Sequence, residues 1–270
     1  MDREGMIGLL SELVACQSPP DEEREIDRVI RREFQAIGVE MWQDDATNLY
    51  AHLPGNGPKV MICAHKDEIG MIVSKVEENG RLRVVGKPLG ARPWKYGEGP
   101  IDLIADDGSI VRGILSVGST HTTTGPVHEL DTTRPLTWDM VTVFTGLRPA
   151  EIEAKGIHVG SRAVVARERK QIQRLGECIA TFALDDRAGV VILIAALQQM
   201  CAERRRATNP TTDLYFVATY GEESGTQGAI RAAQLLQPDF CVAVDNAVIA
   251  DGNTLVLDAR PGIWYTEGSA

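Results

Sequence analysis

The sequence predicts an α/β fold: a mainly parallel mixed sheet flanked by helices, with a small β barrel or sandwich inserted into it. Three observations predict it. Apolar residues recur at helical spacing and then in strand-length runs over 1–70. Short alternating runs broken by turn signals fill 71–172. Strand–helix alternation returns over 173–270. The α/β unit is therefore expected to be discontinuous, 1–70 plus 173–270, with 71–172 as the insertion.

Taken in order, Ile7, Leu10 and Val14 mark a first helix, and Ile26, Val29, Ile30, Phe34 and Ile37 mark a second. Pro19-Pro20 separates them, Asp21-Glu22-Glu23 reads as the acidic first turn of the second, and Gly38 as its stop. Two strands are expected next, the second being Val60–Ala64. In the insertion, Asn79-Gly80 precedes a strand at Leu82–Val85, and Asp107-Gly108 precedes one at Ile110–Leu115. A short helix is expected at Ala150–Ala154, between Pro149 and Gly156. Beyond it, Ile179–Leu184 reads as a strand, Val190–Met200 as a buried helix, Leu214–Tyr220 as a strand, Gly228–Leu236 as a helix and Phe240–Val244 as a strand. Asn209-Pro210 breaks the chain before the second of these strands, and Gly262-Ile263-Trp264-Tyr265 reads as the start of another.

Composition narrows the functional classes. With 270 residues, 43% of them hydrophobic, the chain can bury a substantial core. A formal charge of -10 argues against a nucleic-acid or anionic-membrane partner. No apolar stretch approaches the roughly 20 residues that span a bilayer, and Met1-Asp2-Arg3-Glu4 does not open a signal peptide. The five cysteines form no CxxC pair and read as buried thiols of a reducing compartment, so a cytoplasmic protein is expected.

The chemistry is concentrated where strands end. Val60–Ala64 runs into His65 and Asp67, Ile179–Leu184 into Asp185 and Asp186, Leu214–Tyr220 past Gly221 into Glu222 and Glu223, and Phe240–Val244 into Asp245. Ligands of open α/β sheets sit outside the carboxyl ends of the strands. One imidazole and several carboxylates gathered there need a cation to neutralise them. Each residue alone has a bland alternative: Asp is a common N-cap, and an acidic pair favours a following helix. In the His65-x-Asp67 pair, the carboxylate can fix the imidazole tautomer. Of two adjacent acids, one can bridge two cations while the other caps the helix or pairs with Arg187. Consecutive side chains at Glu222-Glu223 point apart, so one can bind metal while the other serves as a general base; neighbours rarely form a glycosidase pair, whose carboxylates flank the scissile bond. His121 and His128, in a turn-rich segment, read as an ordinary loop, with service as a metal ligand as the alternative; His52 and His158 read as surface positions.

Ala64-His65-Lys66-Asp67-Glu68-Ile69-Gly70, Ala183-Leu184-Asp185-Asp186-Arg187 and Gly221-Glu222-Glu223-Ser224-Gly225 together resemble the motifs of the M42 metallo-aminopeptidases, the group of the large tetrahedral peptidases and the glutamyl aminopeptidases. The stretch Trp138–Val165 is similar to the part of that family preceding its second metal motif, so the similarity runs along nearly the whole chain. The resemblance implies a zinc-peptidase-like fold and two divalent ions (zinc, cobalt or manganese). His65, Asp185, Glu223 and Asp245 would be ligands, with Asp185 bridging; Asp67 would orient His65, and Glu222 would be the general base. It further implies peptide substrates and a homo-oligomer, a dimer or larger closed assembly, formed through the insertion.

Two departures stand out. Gly221 and Ser224 occupy positions where the family usually has glutamine and valine. No histidine follows His158, whereas the family's fifth ligand is a histidine well downstream of the Asp245 position. The chain is therefore expected to lack the family's C-terminal segment and to complete its second metal site only in part. An amidase or deacylase on the same metal scaffold, or a catalytically impaired assembly protein, remain alternatives at this level.

Overall fold

The computed structural model describes residues 1–130, 134–206, 211–249, 252, 255–258 and 260–263. Helix α1 (Arg3–Ala15) is started by Asp2, whose carboxylate accepts the Gly5 N–H at 2.8 Å. Helix α2 (Arg24–Ile37) ends at Gly38, whose φ of 76° is the left-handed conformation that glycine adopts without strain. Asp21, Glu22 and Glu23 precede α2 rather than form its first turn, which holds Glu25 and Asp27. Three strands follow where the pattern suggests two: β1 (Glu40–Gln43), β2 (Leu49–Leu53) and β3 (Lys59–His65).

The chain then enters a closed six-stranded barrel. Its strands are β4 (Met71–Val76), β5 (Leu82–Val85), β6 (Gly99–Ile104), β7 (Ile110–Ser116), β8 (Thr142–Phe144) and β9 (Arg162–Val165). Short helices α3 (Pro93–Tyr96), α4 (Pro126–Leu130) and α5 (Pro149–Ala154) connect them. Alternation puts Met71, Val73, Leu82, Val84, Ile101, Leu103 and Val143 inside, all essentially inaccessible. Closure removes sheet edges, so the barrel rather than the sandwich is the realised alternative.

A two-stranded ribbon, β10 (Gln173–Leu175) with β11 (Cys178–Ala180), leads out of the barrel. This corrects the reading of Ile179–Leu184 as a strand of the main sheet. Its apolar residues pack sideways against the helical layer, and Phe182 is 37% exposed. Helix α6 (Leu184–Arg204) follows, then β12 (Asp213–Thr219), α7 (Gln227–Leu236) and β13 (Phe240–Ala243). The main sheet has the order β1-β2-β12-β3-β13. Strands β12, β3 and β13 are parallel, with Thr219 opposite His65 and Ala243 opposite Cys63; β2 and β1 add on antiparallel.

Helices α1, α2 and α6 cover one face of the sheet around Leu13, Ile30, Phe34, Leu193, Ile194 and Phe216. On α6, burial of Val190, Leu193, Ile194, Leu197 and Cys201 follows the helical period. On the other face, α7 meets Tyr50, Met61 and Val217 through Ala232 and Leu236. No described helix is long and apolar enough to cross a membrane.

Several expectations are corrected by burial. Cys16, Cys63 and Cys201 are buried, but Cys178 and Cys241 are exposed because their strands lie in the ribbon and at the sheet edge. His52 is not a surface residue: it stacks on Tyr215 and its Nε2 lies 2.7 Å from Asp213 Oδ1, because β2 is an interior strand. His158 is exposed as expected. Gly262 and Ile263 lie in no strand, while Trp264, Tyr265, Asn209 and Pro210 fall outside the described residues.

Candidate metal centre

Parallel pairing brings the ends of β12, β3 and β13 to one edge, and the candidate ligands meet there. His65, the last residue of β3, has an almost inaccessible side chain whose Nε2 lies 3.0 Å from Asp185 Oδ1 and 3.9 Å from Glu222 Oε2. Its Nδ1 faces Asp67, 3.2 Å from the carbonyl oxygen and 3.4 Å from Oδ1. The Asp67 carboxylate also accepts the backbone N–H of Glu222 at 3.0 Å and of Glu223 at 2.9 Å. One buried carboxylate thus ties the end of β3 to the turn after β12 and turns the His65 Nε2 outward.

The aspartate pair divides its work. Asp185 is the more exposed member and reaches His65. Asp186 is fully buried, and its Oδ1 accepts the Gly189 N–H at 3.0 Å, capping the regular part of α6 beyond the non-helical Asp185 and Asp186. Its Oδ2 has no hydrogen-bond partner. Asp186 shares a donor group with His65 and exposed Asp245, and Glu222 and Glu223 share another with His65; within each group the potential ligand atoms lie within 4.8 Å of one another. His121 and His128 are exposed in the segment between β7 and β8 and belong to neither group.

The electrostatics of the donor set follow from burial and from the crowding of carboxylates around one imidazole. Burial, reinforced by Asp245 and Asp185, pushes Asp186 up to about 8, against the opposing pull of His65. Burial also raises Glu223 to about 8, and it raises Glu222, with neighbouring carboxylates adding to both. For His65, burial disfavours the charged ring, but hydrogen bonds to Asp185 and Asp67 outweigh it and bring the imidazole to about 11. Burial opposes ionisation of Asp67, yet His65 and the two amide donors hold it below the usual range. Carboxylates that retain protons around one imidazole, with a buried oxygen lacking a partner, make a donor set that fits divalent cations.

The barrel supplies a wall that the sequence pattern did not reveal. Its loop at Gly90 lies so close to Glu223 that a Cβ there would stand 2.7 Å from Oε2. Gly90 has φ +72°, and the Gly70 N–H donates to the Leu89 carbonyl at 2.8 Å, which holds the loop against the strand end. The only local signal is the turn composition of Lys87-Pro88-Leu89-Gly90.

The model of the M42 glutamyl aminopeptidase family matches residues 47–259. The chain is 31% identical over 217 residues to a lysyl aminopeptidase of Pyrococcus furiosus, covering 77% of this chain and 57% of that protein. It is 26% identical over 200 residues to a glutamyl aminopeptidase of Lactococcus lactis, covering 73% and 53%. Among solved structures, an aminopeptidase from the archaeon Desulfurococcus kamchatkensis superposes with TM-score 0.77 at 27% identity, over 94% of this chain and 66% of that one. The chain thus spans between 53% and 66% of the length of these three relatives. With the matched model covering most of its length, the chain belongs to the M42 glutamyl aminopeptidase family.

Proposed function

We propose that this chain forms the catalytic lobe of a metal-dependent aminopeptidase that removes N-terminal residues from peptides. One observation carries the reading: His65, Asp185, Glu222, Glu223 and Asp245 are delivered to a single sheet edge, with Asp67 locking two of the strand ends together. His65, Asp185, Glu223 and Asp245 are the proposed metal-holding residues; Asp185 stands 3.0 Å from His65 Nε2 but belongs to neither donor group, and Asp186 is the aspartate grouped with His65 and Asp245. Two divalent ions bound there would polarise a scissile carbonyl and make water more acidic.

The chain's own residues do the rest. Glu222 is half-buried with a raised pKa and faces the same space as His65 Nε2, which suits a group that takes a proton from water and returns it to the leaving amine. Asp67 keeps Nδ1 of His65 engaged, so that Nε2, beside Asp185, is the nitrogen turned toward the proposed metal site. The Gly90 wall limits the room beside Glu223.

Assembly into a homo-oligomer through the barrel belongs to the same proposal. Ile114 and Phe144 are register partners on β7 and β8 and are 41% and 56% exposed, an outward apolar pair of the kind that oligomers cover.

The test of the mechanism is Glu222→Gln. It should retain the metal content of the parent while turnover of peptides with free N-termini falls by about 10²–10⁴-fold. Unchanged turnover at equal metal content removes Glu222 from the role of base. Hydrolysis of N-acyl amino acids in preference to such peptides would reassign the substrate class.

A further inference from the structure

Behind Asp67 lies a buried polar seam that the proposed reaction does not use. The guanidinium of Arg187, fully buried, donates from Nη1 to the Asp67 carbonyl and from Nη2 to Ser18 Oγ, and Nη2 is 3.4 Å from Glu68 Oε1. Glu68 Oε1 in turn accepts from Lys170 Nζ at 2.6 Å and from the Ser18 N–H at 3.1 Å. Lys170 also donates to Gln17 and to the Cys16 carbonyl, and Gln17 donates to Asp102 on β6. The members come from five places: the end of α1, the end of β3, strand β6, the segment leaving the barrel, and the start of α6.

Burying two cations around one carboxylate costs several kcal/mol per ion before pairing, and apolar packing is often as stable. Stability alone therefore does not account for the seam; what it delivers is a fixed geometry. Arg187 is the member that matters most, because its rigid planar fork reaches the Asp67 peptide and Ser18 from two separate nitrogens, a fixed geometry that the single ammonium of a lysine does not reproduce. The Asp67 carboxylate beyond that peptide holds the amides of Glu222 and Glu223 and faces Nδ1 of His65.

We infer that Arg187, braced by Glu68 and Lys170, is a positioning residue that fixes the Asp67 peptide and through it sets His65, Glu222 and Glu223. The catalytic consequence rests on the function proposed above; the positioning does not, and it is measured without metal. In the metal-free chain, Arg187→Lys should accelerate hydrogen exchange at the Glu222 and Glu223 amides by about tenfold or more, with barrel amides unchanged. Glu68→Gln, which keeps the acceptor oxygen but removes the anion, should move the same two amides in the same direction by less. Calorimetric titration with zinc should then give about 10–100-fold weaker binding for Arg187→Lys. Leu103→Ala, a cavity in the barrel core, serves as the control for general destabilisation: it should lower the melting temperature and leave both readouts alone. Unchanged exchange at Glu222 and Glu223 in both seam variants, or equal acceleration in Leu103→Ala, overturns the inference. Accelerated exchange in a protein whose parent form binds no zinc supports the positioning and overturns the metal reading instead.

Discussion

At the scale of single residues, the site is defined by which oxygen faces where. Asp185 reaches His65, while the Glu222 carboxylate stands 3.9 Å from the same nitrogen. Asp185→Ala should therefore weaken divalent-metal binding more than Glu222→Ala, measured by calorimetric titration at neutral pH; equal losses would mean that both groups hold metal. Glu23 permits a separate check on electrostatics. Burial raises its carboxyl to about 7, even with Lys66 nearby. A raised folded-state value means that the folded chain holds a proton which the unfolded chain releases above its own value near 4.5. Stability tied to Glu23 is then fully present below that value and is lost as pH rises through about 7, on the order of 3 kcal/mol in total. Glu23→Gln, whose amide oxygen can still accept the Gly221 N–H, should flatten the fall in urea midpoint between pH 5 and pH 8. An unaltered slope would place the pH dependence elsewhere.

How much of the site was legible depended on what kind of information placed each residue. His65, Glu222, Glu223 and Asp245 follow apolar runs that are strands of the main sheet, so local pattern sufficed to bring them to one edge. Asp185 and Asp186 were marked as a pair for a partly mistaken reason, since the run before them pairs within a ribbon and not with β3. Which of the two faces inward depends on backbone conformation at the start of α6, which composition does not encode. Glu68, Lys170 and Arg187 were invisible as a group, and Gly90 as a neighbour of Glu223, because these contacts form only when the barrel closes and the chain returns to the sheet.

Among the elements, α6 shows how tightly a cap can be tied to a site. Gly189 donates its N–H to Asp186, and a Cβ at Gly189 would lie 2.3 Å from both carboxylate oxygens. Glycine inside a helix normally costs about 1 kcal/mol relative to alanine. Here the sign should reverse, because the carboxylate is buried and held by the very N–H beside the new methyl. Gly189→Ala is expected to destabilise the chain by about 1–3 kcal/mol, the usual range for overpacking, and to weaken metal binding by displacing Asp186. A stabilised variant in thermal melts would show that the cap can relax. The α/β layers and the barrel were legible at this scale from periodicity. The additional strand β1 was not, because Glu40–Gln43 is short and lacks a clean alternation.

For the molecule as a whole, the net charge of -10 includes the carboxylates gathered at one sheet edge, so bound cations should act on the entire folding equilibrium. A ligand that binds only the folded state adds about 2.7 kcal/mol at one hundred times its dissociation constant. Chelation should lower the melting temperature accordingly, and re-addition of zinc should restore it; coincident melts with and without chelator would exclude a tightly held ion. Assembly has its own check. Phe144→Glu should lower the molar mass measured by light scattering, because it puts a charge into the exposed Ile114–Phe144 pair, while leaving the metal donors untouched.

The contact between Gly90 and Glu223 bears on how this architecture can be re-engineered. Exchanging barrels among relatives to alter assembly looks like a modular operation, since the strands Met71 to Val165 close on themselves. It is not fully modular, because one tip of the transplanted piece furnishes the surface against which a proposed ligand rests. A chimera that imports a foreign loop with any side chain at that point would change its chemistry along with its quaternary form. Keeping Lys87–Ala91 with the recipient sheet, and grafting only the outward strands, separates the two.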